Sequence, residues 1–62
     1  MQEQANILVV DDEQGIRITL AGILEDEGYN VVVAEDGYKG IAAAEKTKFK
    51  IAFIDMKMPA RQ

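Results

Sequence analysis

Three aspartates carry the chemistry that this sequence makes available: the adjacent pair Asp11-Asp12 and the distant Asp55. Each stands directly after a run of apolar residues, Ile7-Leu8-Val9-Val10 before the pair and Ile51-Ala52-Phe53-Ile54 before Asp55. Such runs read as strands buried on both faces, so the acids sit where a dry core ends. Charge is costly there unless a cation, a donor or water receives it. If the two strands are neighbours, three carboxylates converge. Like charges so close repel one another unless a hard divalent ion sits among them. Mg²⁺ suits one or two direct carboxylates, and it keeps waters and phosphate oxygens as further ligands. A lone Asp at a strand–helix junction is commonly only a cap; the pair together with Asp55-x-x-Met58-Pro59 is a more specific pattern.

Other chemistries are excluded by composition. The 62 residues contain no cysteine and no histidine, which removes disulfides, thiolate or imidazole zinc sites and Ser-His catalysis. Seven basic against eleven acidic residues leave a net charge of −4, so no nucleic-acid or anionic-membrane surface is expected in this segment. No apolar run approaches the ~20 residues of a membrane span, and no signal peptide opens the chain. The expectation is a cytoplasmic protein with one small domain. Ordering about 60 residues costs roughly 90 kcal/mol, and burying about 3,600 Å² of apolar surface returns about the same. A near-zero balance points to a partner, a metal or very good packing.

The elements that must position the acids follow from periodicity. After a polar lead-in, the first strand is expected from about Asn6 to Val10. A helix follows from Gln14 to Glu27, with Ile16, Leu20, Ile23 and Leu24 as its apolar stripe; Gly28 is its C′ stop. Tyr29 to Ala34 is the second strand. Asp36 is the expected N-cap of a short helix over Gly37 to Thr47, with Tyr38, Ile41, Ala42 and Glu45 along one side. Ile51 to Ile54 is the third strand. Pro59 biases Met58 toward an extended loop. Phe49 and Phe53 are expected in the core, Tyr38 packed at a helix start, and Arg17 solvated. The order β-α-β-α-β, with all strands doubly buried, implies a parallel α/β sheet. Ligands of such sheets bind beyond the carboxyl ends of the strands.

Val9-Val10-Asp11-Asp12 and Ile54-Asp55-Met56-Lys57-Met58-Pro59, with Glu35-Asp36-Gly37 between them, resemble the receiver domain of two-component response regulators. The resemblance covers nearly the whole chain. It implies a truncated flavodoxin-like (CheY-like) sheet of strand order 2-1-3, residues 1–62 forming the N-terminal half of a receiver. It further implies that Asp55 is the phosphoacceptor, loaded by a sensor histidine kinase or phosphotransfer protein. In that family pattern Asp12 binds Mg²⁺ directly, Asp11 directly or through water, and Lys57 through its backbone carbonyl. A carboxylate nucleophile forms an acyl phosphate, and the metal neutralises charge on the phosphoryl oxygens. Such a domain is not an enzyme beyond assisting its own phosphorylation and dephosphorylation.

There are departures. The hydroxyl residue and the lysine that the family carries after its fourth and fifth strands are not within these 62 residues. Lys57 is no more than a candidate stand-in for that lysine, by charge only. Ala60 sits where the family commonly has Gly, and Arg61-Gln62 do not continue its usual loop. An uncovered third strand would be a pairing template. The alternative expectation is a homodimer or higher assembly, or an interaction module that is not phosphorylated.

Overall fold

The computed structural model of the chain describes residues 4–55. Five elements follow in order: β1 (Asn6–Asp11), α1 (Gln14–Asp26), β2 (Asn30–Ala34), α2 (Gly37–Lys46) and β3 (Ile51–Asp55). The three strands form one parallel sheet in the order β2-β1-β3, as expected. β1 gains one residue over its expected span, because Asp11 still pairs with Asp55. The sheet is pinned at its start by Asn6, whose side-chain amide donates to the Lys48 carbonyl at 3.2 Å.

β1 holds the core. Ile7, Leu8, Val9 and Val10 are all buried, as a strand with neighbours on both edges and helices over it requires. Leu8 and Val10 pack with Ala34, and Ala43 and Phe49 close over them. The expectation that all three strands are doubly buried does not hold for the other two. Val32 and Val33 of β2 are exposed, and every residue of β3 is exposed, Phe53 included. The cause is coverage: α1 and α2 both pack over β1 and β2, and among the described residues neither lies against β3.

The helix ends follow local rules. Asp36 caps α2 through Oδ1, which accepts the Lys39 N–H at 2.8 Å. Lys39 also pairs with Glu35 at 3.0 Å, and that carboxylate raises the lysine's pKa. At the end of α1, Gly28 has φ +99°. Its N–H donates to the Glu25 carbonyl at 3.0 Å and the Tyr29 N–H to that of Leu24 at 3.2 Å, a Schellman closure that needs a left-handed residue.

The helix faces differ from those read off the sequence. On α1 the half-buried residues are Ile16, Arg17, Leu20, Ala21 and Leu24, whereas Ile23 is exposed. At 100° per residue, Ile23 lies about 90° from the centre of that face. On α2 the inward positions are Gly37, Gly40 and Ala43, followed by the half-buried C-cap Thr47. Tyr38 is 87% exposed, and Ile41, Ala42 and Glu45 also face out. Small residues turn inward because the helix sits close to the sheet: a Cβ at Gly40 would stand 2.9 Å from Val10 Cγ2.

Val10 is buried and β-branched, so it has little room to yield. Gly40→Ala is therefore expected to cost about 1–2 kcal/mol. Overpacking of about 1–3 kcal/mol outweighs the ~1 kcal/mol that alanine gains in helix propensity. Urea unfolding checks this: the midpoint should fall with its slope unchanged.

Candidate functional site

The two outer acids of the sequence pattern end neighbouring parallel strands. Asp11 is the last residue of β1, Asp55 the last of β3, and the two are register partners. Adjacent strands lie about 4.8 Å apart, and register partners present their side chains to the same face of the sheet. Asp11 and Asp55 thus share one face with Ile7 and Val9. The topology brings together residues that are far apart along the chain.

Their surroundings differ. Asp11 is 1% exposed, the only buried charged residue among those described, whereas Asp55 is open to solvent. Asp11 Oδ1 accepts the Glu13 N–H at 2.8 Å, closing the turn between β1 and α1. Its Oδ2 is buried with no hydrogen-bond partner among the described residues. An ionised oxygen left dry in this way is costly. A cation would relieve that cost, and an all-oxygen donor set suits a hard one such as Mg²⁺.

Asp12 takes a different place. It follows the last residue of β1, in a bend where the chain leaves the sheet, and is exposed. Among the described residues, no three acidic, histidine or cysteine side chains form a group that could hold a metal ion. Among the described residues, Asp11, Asp12 and Asp55 thus do not make up such a three-acid group. What the fold supplies is a pair in register, one carboxylate buried and one open, with Asp12 beside them. Two carboxylates remain within the range that Mg²⁺ uses. Lys57, expected to add its backbone carbonyl, lies outside the described residues, as do Met56, Met58 and Pro59.

Arg17 was expected to be a solvated charge and is not. It is half-buried on α1, and its Nη1 donates to the Asp11 backbone carbonyl at 2.7 Å. The guanidinium therefore fastens the main chain of the residue whose carboxylate carries the orphan oxygen. Spacing alone could not show this. A helix position six residues after a strand end reaches back only if the turn between them is tight. An apolar groove of about 350 Å³ lies between α2 and β3, lined by Val10, Gly40, Ile41, Ala52 and Ile54 among others.

Comparison with known proteins gives one consistent result. The family model of the response regulator receiver domain matches residues 7–62. A response regulator receiver protein of Anaeromyxobacter sp. is 44% identical over 52 residues, which are 84% of this chain and 22% of that protein. Sporulation initiation phosphotransferase F of Bacillus subtilis is 38% identical over 53 residues, 86% of this chain and 43% of its own. The solved structure of the chemotaxis protein CheY4 of Vibrio cholerae superposes with a TM-score of 0.87 at 38% identity, covering 94% of this chain and 48% of that one. The chain spans less than half the length of these relatives. The fold is flavodoxin-like, and with its family pattern running from Ile7 to the last residue, the chain belongs to the response regulator receiver domain family.

Proposed function

We propose that this chain is a phosphoacceptor segment of a two-component signalling protein, with residues 1–62 supplying the first three strands and two helices of a receiver domain. Asp55 takes the phosphoryl group. The observation that carries this reading is the register pair: Asp55 stands exposed at the end of β3, beside a buried Asp11 with an oxygen that has no partner among the described residues. The donor is the phosphohistidine of a sensor histidine kinase or a phosphotransfer protein. Relatives named as a sensor kinase/phosphatase of Vibrio cholerae and as a phosphotransferase of Bacillus subtilis support that partner class. A cytoplasmic location goes with such partners, and no described helix is long and apolar enough to cross a membrane.

In the proposed step a carboxylate oxygen of Asp55 attacks phosphorus. The new P–O bond forms as the P–N bond breaks, and the electron pair leaves on the imidazole nitrogen, which takes up a proton. Asp11 and Asp55, with Asp12 beside them and the backbone carbonyl of Lys57, would hold Mg²⁺. Bound there, the ion would neutralise charge on the phosphoryl oxygens. Asp11 contributes a fixed negative charge that needs no reorganisation, because its turn is already closed by the Glu13 N–H. The exposure of Asp55 leaves in-line approach open. The domain assists this transfer on itself and is not an enzyme acting on a separate substrate.

A second reading is favoured by one observation, the exposure of the whole of β3, including Ile51, Phe53 and Ile54. An apolar strand with an open edge is a template for pairing. In this reading the segment self-associates or serves as an interaction module without being phosphorylated.

Three experiments test these readings. Incubation with Mg²⁺ and acetyl phosphate should add one phosphoryl group by intact mass. Asp55→Asn should abolish the addition, and an unmodified wild-type chain would end the phosphoacceptor reading. Asp11→Asn keeps the acceptor for the Glu13 N–H and removes the buried charge. It should gain about 1–2 kcal/mol of stability in metal-free buffer. It should also lose the Mg²⁺-linked stabilisation of about 1.4 kcal/mol expected of the wild type at ten times its dissociation constant, as read by thermal melts. Sedimentation equilibrium addresses the second reading: a folded monomer at micromolar concentration would exclude self-association.

A further inference from the structure

Asp11 is held from two sides. Its side chain is held by the Glu13 N–H on Oδ1 at 2.8 Å, and its main chain by Arg17 Nη1 on the carbonyl at 2.7 Å. The Arg17 N–H donates in turn to the Glu13 carbonyl at 3.1 Å. These contacts close a ring that runs from Asp11 through Glu13 to Arg17 and back. One atom within it is left without a partner among the described residues, the buried Oδ2.

We infer that Arg17 is a positioning residue for a divalent cation at Asp11, the guanidinium fixing the main chain so that Oδ2 stays turned to the site. The inference rests on the Mg²⁺ reading above. Arg17 touches no atom of the carboxylate, so it acts through the backbone. A released Asp11 carbonyl would let the following peptide rotate and carry the Glu13 N–H off Oδ1. The guanidinium suits the task, since its planar donors hold a carbonyl in fixed geometry while the aliphatic stem packs along the helix. Its charge opposes a neighbouring cation. Charge and positioning therefore predict opposite signs when Arg17 is removed, and this makes the role testable.

The test is calorimetric titration of the full chain with MgCl₂. Arg17→Met keeps the stem and loses charge and donors; Arg17→Lys keeps charge and a donor. Positioning predicts that Arg17→Met weakens Mg²⁺ binding about tenfold, the low end of the effect of losing an outer contact to a metal ligand. Arg17→Lys should recover most of that loss. Unchanged or tighter binding by folded Arg17→Met, with the wild type binding Mg²⁺, overturns the positioning role alone. A wild type that binds no Mg²⁺ overturns the site reading and this role with it. A measurement on the wild type stands in if Arg17→Met does not fold. Added Mg²⁺ should shift the Asp11 carbonyl carbon and the Arg17 guanidinium nitrogen resonances in NMR spectra, and unmoved resonances on binding overturn the inference.

Discussion

A carboxylate buried at the end of the central strand, with one oxygen satisfied and the other without a partner among the described residues, is the constraint around which this structure is built. Asp11 can be so deeply covered only because β1 has a strand on each side and helices over it. The turn into α1 supplies an N–H that the carboxylate accepts, and α1 returns a guanidinium to the same residue's carbonyl. Removing a charge from water is worthwhile only where something later offsets it. A buried group left partly unsatisfied calls for a physical explanation, and a bound ion or water is one.

Coverage of the sheet is uneven across its strands, and this divides the two acids into a covered one and an open one. Both helices lie over β1 and β2, which hold Asp11 and the turn after it; β3, which holds Asp55, has no helix against it among the described residues. The close seat of α2 on β1 depends on the lack of a side chain at Gly40. A fixed acid next to an exposed one is a sensible division. In the proposed reading one would hold charge without reorganising, and the other would stay accessible to a phosphoryl donor.

Much of this was legible from residue types and spacing because it depends on short-range rules. The unbroken apolar runs marked the strands, Asp36 marked the start of α2, and Gly28 marked the end of α1 by a φ that other residues rarely adopt. Helix faces were less legible. On α2 the large residues Tyr38 and Ile41 suggested the buried side, yet Gly40 and Ala43 turn inward. An apolar residue signals burial only if the gap to the sheet can hold it, and here the gap admits only small ones. Phe53 and the valines of β2 fit their strands, but exposure depends on what covers a strand, which periodicity does not encode. Arg17 read as an ordinary surface charge because its acceptor is a backbone carbonyl, a group every residue carries.

The sequence by itself determined the element order, the parallel sheet and the positions of the acids at strand ends, since these follow from side-chain volume, branching and local backbone preference. Tertiary structure alone decided which acids meet. Register set Asp55 against Asp11, and the bend after β1 left Asp12 exposed. It also decided that Asp11 is the buried member and that Arg17 holds it. The physical reason is that burial and hydrogen bonding belong to pairs of groups brought together across the fold, and a residue's own chemistry cannot specify its partner.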